Sequence, residues 1–110
     1  MARFMLALLE GGCYDNACIL RPETLAQMQQ KQVATPFAGQ NQTLGFIEDP
    51  FEGGRIIGHS GATRGFGSIL DLFPEHDMGY FFSFNEECLQ TSACDIIPRF
   101  RAEFLKRFGQ

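Results

Sequence analysis

The residues best suited to chemistry in this 110-residue sequence lie together, in Gly58-His59-Ser60-Gly61-Ala62-Thr63-Arg64-Gly65-Phe66-Gly67-Ser68. A single imidazole sits among glycines and other small residues where a strand is expected to end. Small side chains let a ligand come close to the backbone, which a strand packed only for stability does not require. The same pattern also fits a tight glycine-rich turn around a structural histidine. Arg64 follows directly and is placed either to meet an anionic substrate group or to pair with a surface carboxylate.

Other chemistry-bearing residues read more simply. His76 falls in Pro74-Glu75-His76-Asp77-Met78, a turn between strands, and is expected to be exposed. Asp71 with Glu75, and Glu86 with Glu87, read as a solvated acidic surface rather than as acid–base pairs. Tyr14-Asp15-Asn16 reads as a polar surface turn. The four cysteines form two local pairs, Cys13/Cys18 and Cys88/Cys94. Their spacing is compatible with buried thiols or local disulfides, and less so with a metal site, which prefers tighter C-x-x-C pairs.

These residues need elements to hold them. Met1–Glu10 is apolar nearly all round and Gly11-Gly12 supplies a stop, so a helix is expected there. A six-residue apolar run, Phe4–Leu9, ahead of Glu10 is too short for the core of a secretion signal. Pro22 suits a first helical turn, and Leu25 and Met28 share a face, which predicts a second helix over Pro22–Gln32. From Thr43 the period becomes that of strands. Leu44–Glu48 and Arg55–His59 flank one hairpin connection, and Phe66–Phe73 and Gly79–Asn85 flank another. Ile97, Phe100, Phe104, Leu105 and Phe108 then repeat at helical spacing, with Arg99, Arg101, Glu103, Lys106 and Arg107 assigned to the remaining surface. Pro98 is tolerable only in that helix's first turn.

The expected fold is therefore α+β, an antiparallel β-meander of three to four strands flanked by helices. Its layout is one partial domain over 1–110: helical 1–34, loop 35–42, β-meander 43–87 and a C-terminal helix 92–108. Composition agrees with a globular chain, with 45% hydrophobic residues, 12 Phe, no Trp and a formal charge of −4. Residues 41–91 carry two basic and eight acidic groups, which disfavours a phosphate backbone as partner. No run approaches the length of a membrane span.

The order of motifs is more specific than any one of them. Met1-Ala2-Arg3-Phe4 through Leu9-Glu10-Gly11-Gly12, then Ile19-Leu20-Arg21-Pro22-Glu23-Thr24, Leu44-Gly45-Phe46, Gly58-His59-Ser60-Gly61-Ala62-Thr63, Gly65-Phe66 and Phe73-Pro74-Glu75 follow in succession. This succession, continued by Gly79 and Asn85, resembles the C-terminal region of the serine β-lactamase-like family, which includes class C β-lactamases, D-alanyl-D-alanine carboxypeptidases and related esterases.

The resemblance implies roles. His59-Ser60-Gly61 stands at the family's third active-site motif, a Lys or His, a small residue and Gly on a strand edging the site. His59 would assist the catalytic base or hold substrate, Ser60 would offer a hydroxyl to it, and Gly61 would keep the strand open. The backbone N–H of Ala62 would be one of two oxyanion donors, the other being the nucleophile's own N–H. It also implies a small-molecule or peptide substrate and no metal or organic cofactor.

Two departures qualify these roles. The family's nucleophile lies in Ser-x-x-Lys, whereas Ser60, Ser68, Ser83 and Ser92 are followed three positions later by Thr63, Asp71, Glu86 and Asp95. Tyr14-Asp15-Asn16 spells the family's Tyr-x-Asn motif, but follows the first helix where the family's motif precedes it. The sequence thus reads as a tail of something longer, beginning inside a helix and without acyl-enzyme chemistry of its own. The rival expectation is a non-catalytic module that binds a partner or self-associates through an exposed apolar face.

Overall fold

The strand Phe66–Phe73 carries apolar residues on both faces and contributes to two buried clusters. The computed structural model describes residues 1–35, 39–51, 53–86 and 95–109. Within them, helix α1 (Ala2–Leu9) leads into a two-strand hairpin, β1 (Cys13–Tyr14) and β2 (Ala17–Cys18), and then into helix α2 (Pro22–Met28). Six antiparallel strands follow in sequence order as one meander: β3 (Val33–Ala34), β4 (Asn41–Gln42), β5 (Ile47–Phe51), β6 (Gly54–Thr63), β7 (Phe66–Phe73) and β8 (Met78–Phe84). Helix α3 (Ile96–Phe108) closes the order. The α+β class and the meander are as the periodicity predicts.

Strand alternation sends the side chains of β7 to two separate cores. Leu70 and Leu72 pack with Met5 and Leu8 of α1 and Leu25 of α2. Ile69 and Phe73 pack with Ile56 and Tyr80, and against Ile97, Phe104 and Leu105 of α3. The sheet is thus covered by α1 and α2 on one face and by α3 on the other. On the α3 face the Phe-rich composition becomes a ring cluster. Phe73 and Phe104 stack at 5.4 Å, and Tyr80 meets Phe100 edge-on at 4.8 Å.

Several boundaries differ from expectation. The sheet has six strands rather than three or four, because β3 and β4 extend it by two residues each. Strands therefore enter both the expected helical region 1–34 and the expected loop 35–42. Helix α2 stops at Met28, not Gln32, because Gln32 instead donates its backbone N–H to Gln42 of β4. Asp49, Pro50 and Phe51 belong to β5 rather than to a hairpin loop. Pro50 is tolerated because β4 pairs β5 only at Ile47 and Glu48, so no outer ladder bond is lost. Helix α3 starts at Ile96, with Pro98 in its first turn; residues 92–94 lie outside the described residues.

The Tyr14-Asp15-Asn16 turn is real. Asp15 and Asn16 have φ of +50° and +62° between the paired Tyr14 and Ala17, as a type I′ hairpin turn requires. A disulfide joins Cys13 and Cys18 across this hairpin. Cys88 and Cys94 lie outside the described residues.

Candidate active site

The His59 segment is half of a strand that loses one neighbour. From Gly54 to Gly58, β6 pairs with β5, the last partners being Ile47 and Gly58. From His59 to Thr63 it pairs with β7 alone: His59 with Leu70, Ser60 with Ile69, Gly61 with Ser68, Ala62 with Gly67 and Thr63 with Phe66. Among the described residues no strand covers the other edge, and His59 through Arg64 are all exposed.

Register decides which backbone groups use that edge. Arg64 and Gly65 form a two-residue turn between the paired Thr63 and Phe66, with Gly65 at φ +79°. Thr63 and Phe66 therefore exchange ladder bonds, and alternation makes Gly61 and His59 bond to β7 in the same way. Ser60 and Ala62 then direct their N–H and C=O groups outward. The hairpin at the other end agrees, since the paired Phe51 and Gly54 turn Gly54, Ile56 and Gly58 toward β5. The imidazole of His59 makes use of this edge, with its Nδ1 2.5 Å from the carbonyl oxygen of Ser60. A carbonyl only accepts, so Nδ1 carries the proton in that contact, and Nε2 of a neutral ring keeps its lone pair free.

The same alternation places His59 and Gly61 on the α1/α2 face with Leu70, and Ser60 and Ala62 on the α3 face with Ile69. Two hollows flank the segment. One, of about 210 Å³, lies toward α3 and is lined by Asp49, Gly58, His59, Ser60, Asp71 and Arg101 among others. The other, of about 230 Å³, involves Gly61, Ala62, Thr63, Phe66, Ser68 and Ser83. Neither is lined by a lysine. Tyr14 lies elsewhere, in a hollow with Arg3, Phe4 and Asp15 that contains none of the β6 residues. Arg64 stands at the turn tip and makes no ion pair among the described residues.

The polar centre of the 210 Å³ hollow is absent from the expected site residues. Asp71, expected on a solvated surface, is 1% exposed. Its Oδ2 accepts hydrogen bonds from the Tyr80 hydroxyl and from Arg101, at 2.9 Å to Nε and 2.8 Å to Nη2. Arg101 reaches on with Nη1 to Asp49 on β5 at 3.1 Å. Burial raises the pKa of the Tyr80 phenol well above its ordinary range, the Asp71 carboxylate raises it further, and Arg101 pulls the other way. For Arg101 burial is the largest influence and opposes the charge, but Asp71 and Tyr80 together more than offset it. The guanidinium is thus a fixed cation between two carboxylates.

Two signals in the sequence pointed here. Asp71 interrupts the otherwise apolar Ile69–Phe73, and Arg101 stands four residues from both Ile97 and Leu105, inside the apolar stripe of α3. Glu75 keeps the expected exposure but pairs with Arg55 at 3.4 Å. Glu86 is exposed, and Glu87 lies outside the described residues. His76 is half-buried rather than exposed, with an Nε2 that has no partner among the described residues.

No family model matches the sequence, and no curated protein does. Among solved structures, the chain is similar to the D-stereospecific amidohydrolase from Streptomyces sp., at 23% identity and a TM-score of 0.65, over 90% of this chain and 28% of that one. The chain thus spans little more than a quarter of that protein's length. Likeness at this level of identity carries the fold alone: a helix-flanked antiparallel α+β arrangement that forms part of that amidohydrolase's longer chain.

Proposed function

We propose that this chain is the C-terminal portion of a β-lactamase-like serine hydrolase and forms one wall of its active site. The observation that carries the reading is the outer edge of β6 from His59 to Thr63, which no strand covers among the described residues. Along it the N–H of Ala62 is available to a developing oxyanion, as preorganised backbone dipoles are in acyl transfer. His59 offers Nε2 beside the reacting centre, Ser60 and Gly61 receive the substrate along the strand, and Arg64 meets an anionic group at its far end. The reaction is acyl transfer from a β-lactam, peptide or ester to a serine, followed by hydrolysis, with His59 in place of lysine tilting the substrate toward ester or peptide. The serine comes from outside these 110 residues, since no Ser-x-x-Lys occurs within them. The 110-residue chain alone therefore forms no acyl-enzyme.

Mass spectrometry after treatment with a fluorophosphonate and with a penicillin tests this. The expected result is no labelled serine in the isolated chain, and labelling of a Ser-x-x-Lys serine when the upstream coding sequence is expressed in frame. A labelled Ser60, Ser68, Ser83 or Ser92 would overturn it.

One observation favours a second reading, a non-catalytic association module. Met1 and, in α1, Phe4 and Leu6 are exposed, and a hollow of about 600 Å³ between α1 and β8 is lined by Met1, Met5, Leu6, Leu9, Met78 and Phe81. Sedimentation of a monomer that binds no hydrophobic dye would refute that reading. Among the described residues no helix is long and apolar enough to cross a membrane.

A further inference from the structure

We infer that Arg101, Asp71 and Tyr80 are positioning residues for the exposed half of β6, clamping the strand at the point where it leaves its neighbour. Gly58 is the last residue of β6 with a partner on each side, Ile47 on β5 and Asp71 on β7. Beyond it, among the described residues, only the β7 ladder holds His59 to Thr63. The Asp71 carboxylate occupies the space beside Gly58 so closely that a Cβ there would lie 2.3 Å from Oδ1. Its other oxygen is fixed by Tyr80 on β8 and Arg101 on α3, and Arg101 reaches across to Asp49 on β5. One guanidinium therefore ties the strands on either side of β6, directly beneath Gly58.

Charge explains why the clamp needs its cation. Without Arg101, Asp49 and Asp71 would face one hollow with no counter-charge and repel each other across β6. With or without that repulsion, loss of the Arg101 tie between β5 and β7 would let the strand's separation from β5 widen first at Gly58, and His59, Ser60 and Ala62 would lose their fixed register toward the outer edge. A hydrophobic α3 seat would hold the helix equally well, but would leave the carboxylate beneath Gly58 undirected. The meaning of this clamp for catalysis rests on the hydrolase reading; the mechanical coupling does not.

Hydrogen exchange on the full chain tests the coupling, read at the β7-bonded amides of His59 and Gly61 with Leu8 of α1 as internal reference. In R101M these two amides should exchange at least about tenfold faster relative to Leu8, the local share of breaking a buried pair. The ¹⁵N spectrum of the His59 ring should also lose its bias toward the Nδ1–H tautomer. The double variant R101M/D71L replaces the pair by apolar side chains, which commonly restores stability. It should regain global stability while His59 and Gly61 stay fast. A uniform rise across the sheet and α1, or return of both amides to native rates in the double variant, would make the network merely structural and overturn the inference. If R101M does not fold, Y80F removes one donor to Asp71 and should show the same pattern at about threefold amplitude; unchanged His59 and Gly61 rates there overturn it too. Serine labelling does not enter these rates, so the two readings fail separately.

Discussion

Replacing Gly58 by alanine puts the packing at the start of the candidate site to a quantitative test. A Cβ built on Gly58 would lie 2.3 Å from Asp71 Oδ1, 2.5 Å from the Leu70 carbonyl oxygen and 3.3 Å from Asp71 Cα, where ordinary contact begins near 3.4 Å. Two of these atoms are backbone of β7, and the third is a carboxylate oxygen whose partner atom is held by Tyr80 and Arg101. Nothing nearby yields cheaply. Overpacking of this kind costs about 1–3 kcal/mol, and pulling a buried carboxylate off its donors adds about 1–3 kcal/mol. We therefore expect G58A to lose about 3 kcal/mol. With a urea m-value of about 1–3 kcal/mol/M for a small protein, the midpoint should fall by about 1–3 M at constant m. Gly61 is the control, since its Cβ would meet only the flexible Ser68 Oγ at 3.2 Å. G61A should stay within about 0.5 kcal/mol of the parent. Equal midpoints for G58A and G61A would refute the argument that Asp71 and the β7 backbone exclude a side chain at Gly58.

The Tyr80 shift makes stability depend on pH in one direction. Its folded pKa lies above the ordinary 10.0, so its contribution is complete below pH 10 and declines above that, as the unfolded chain loses a proton that the folded one keeps. Urea midpoints from pH 8 to 11 should fall less steeply in Y80F than in the parent, and Y80F should lose about 1.5–3 kcal/mol at neutral pH with its bond to a charged partner. The disulfide closes a short loop, Cys13 and Cys18 being five residues apart. C13A/C18A should therefore cost about 2 kcal/mol by loop entropy, seen as a lower thermal midpoint, and alkylation should reach Cys13 and Cys18 only after reduction.

The features legible in the sequence were those with a local cause. The period change near Thr43 marked the sheet, the apolar stripe of Ile97, Phe104 and Leu105 marked α3, and Asp15-Asn16 marked a turn that two left-handed residues complete. The short strands β3 and β4 were not legible. Two residues carry no period, and what makes them strands is partners supplied from elsewhere, such as Gln42 for Gln32. His76 was misjudged for a related reason: its turn sits against Phe51, whose ring centroid is 6.0 Å away, and a turn's exposure depends on such neighbours.

The sequence by itself determined the α+β class and the small-residue character of Gly58–Thr63, because period and side-chain size are properties of the chain alone. It also determined that no Ser-x-x-Lys lies within these 110 residues. Only the tertiary structure decided that β5 begins at Ile47, opposite Gly58, which among the described residues leaves one edge of β6 uncovered where the Ser60 and Ala62 backbone points outward. It decided as well that Asp71, Tyr80 and Arg101 meet beneath that strand. They are separated by up to thirty residues, and each reads locally as core or surface. Their union is fixed by the register of β6, β7 and β8 and by the docking of α3, since a charge can be buried only where folding brings its partner.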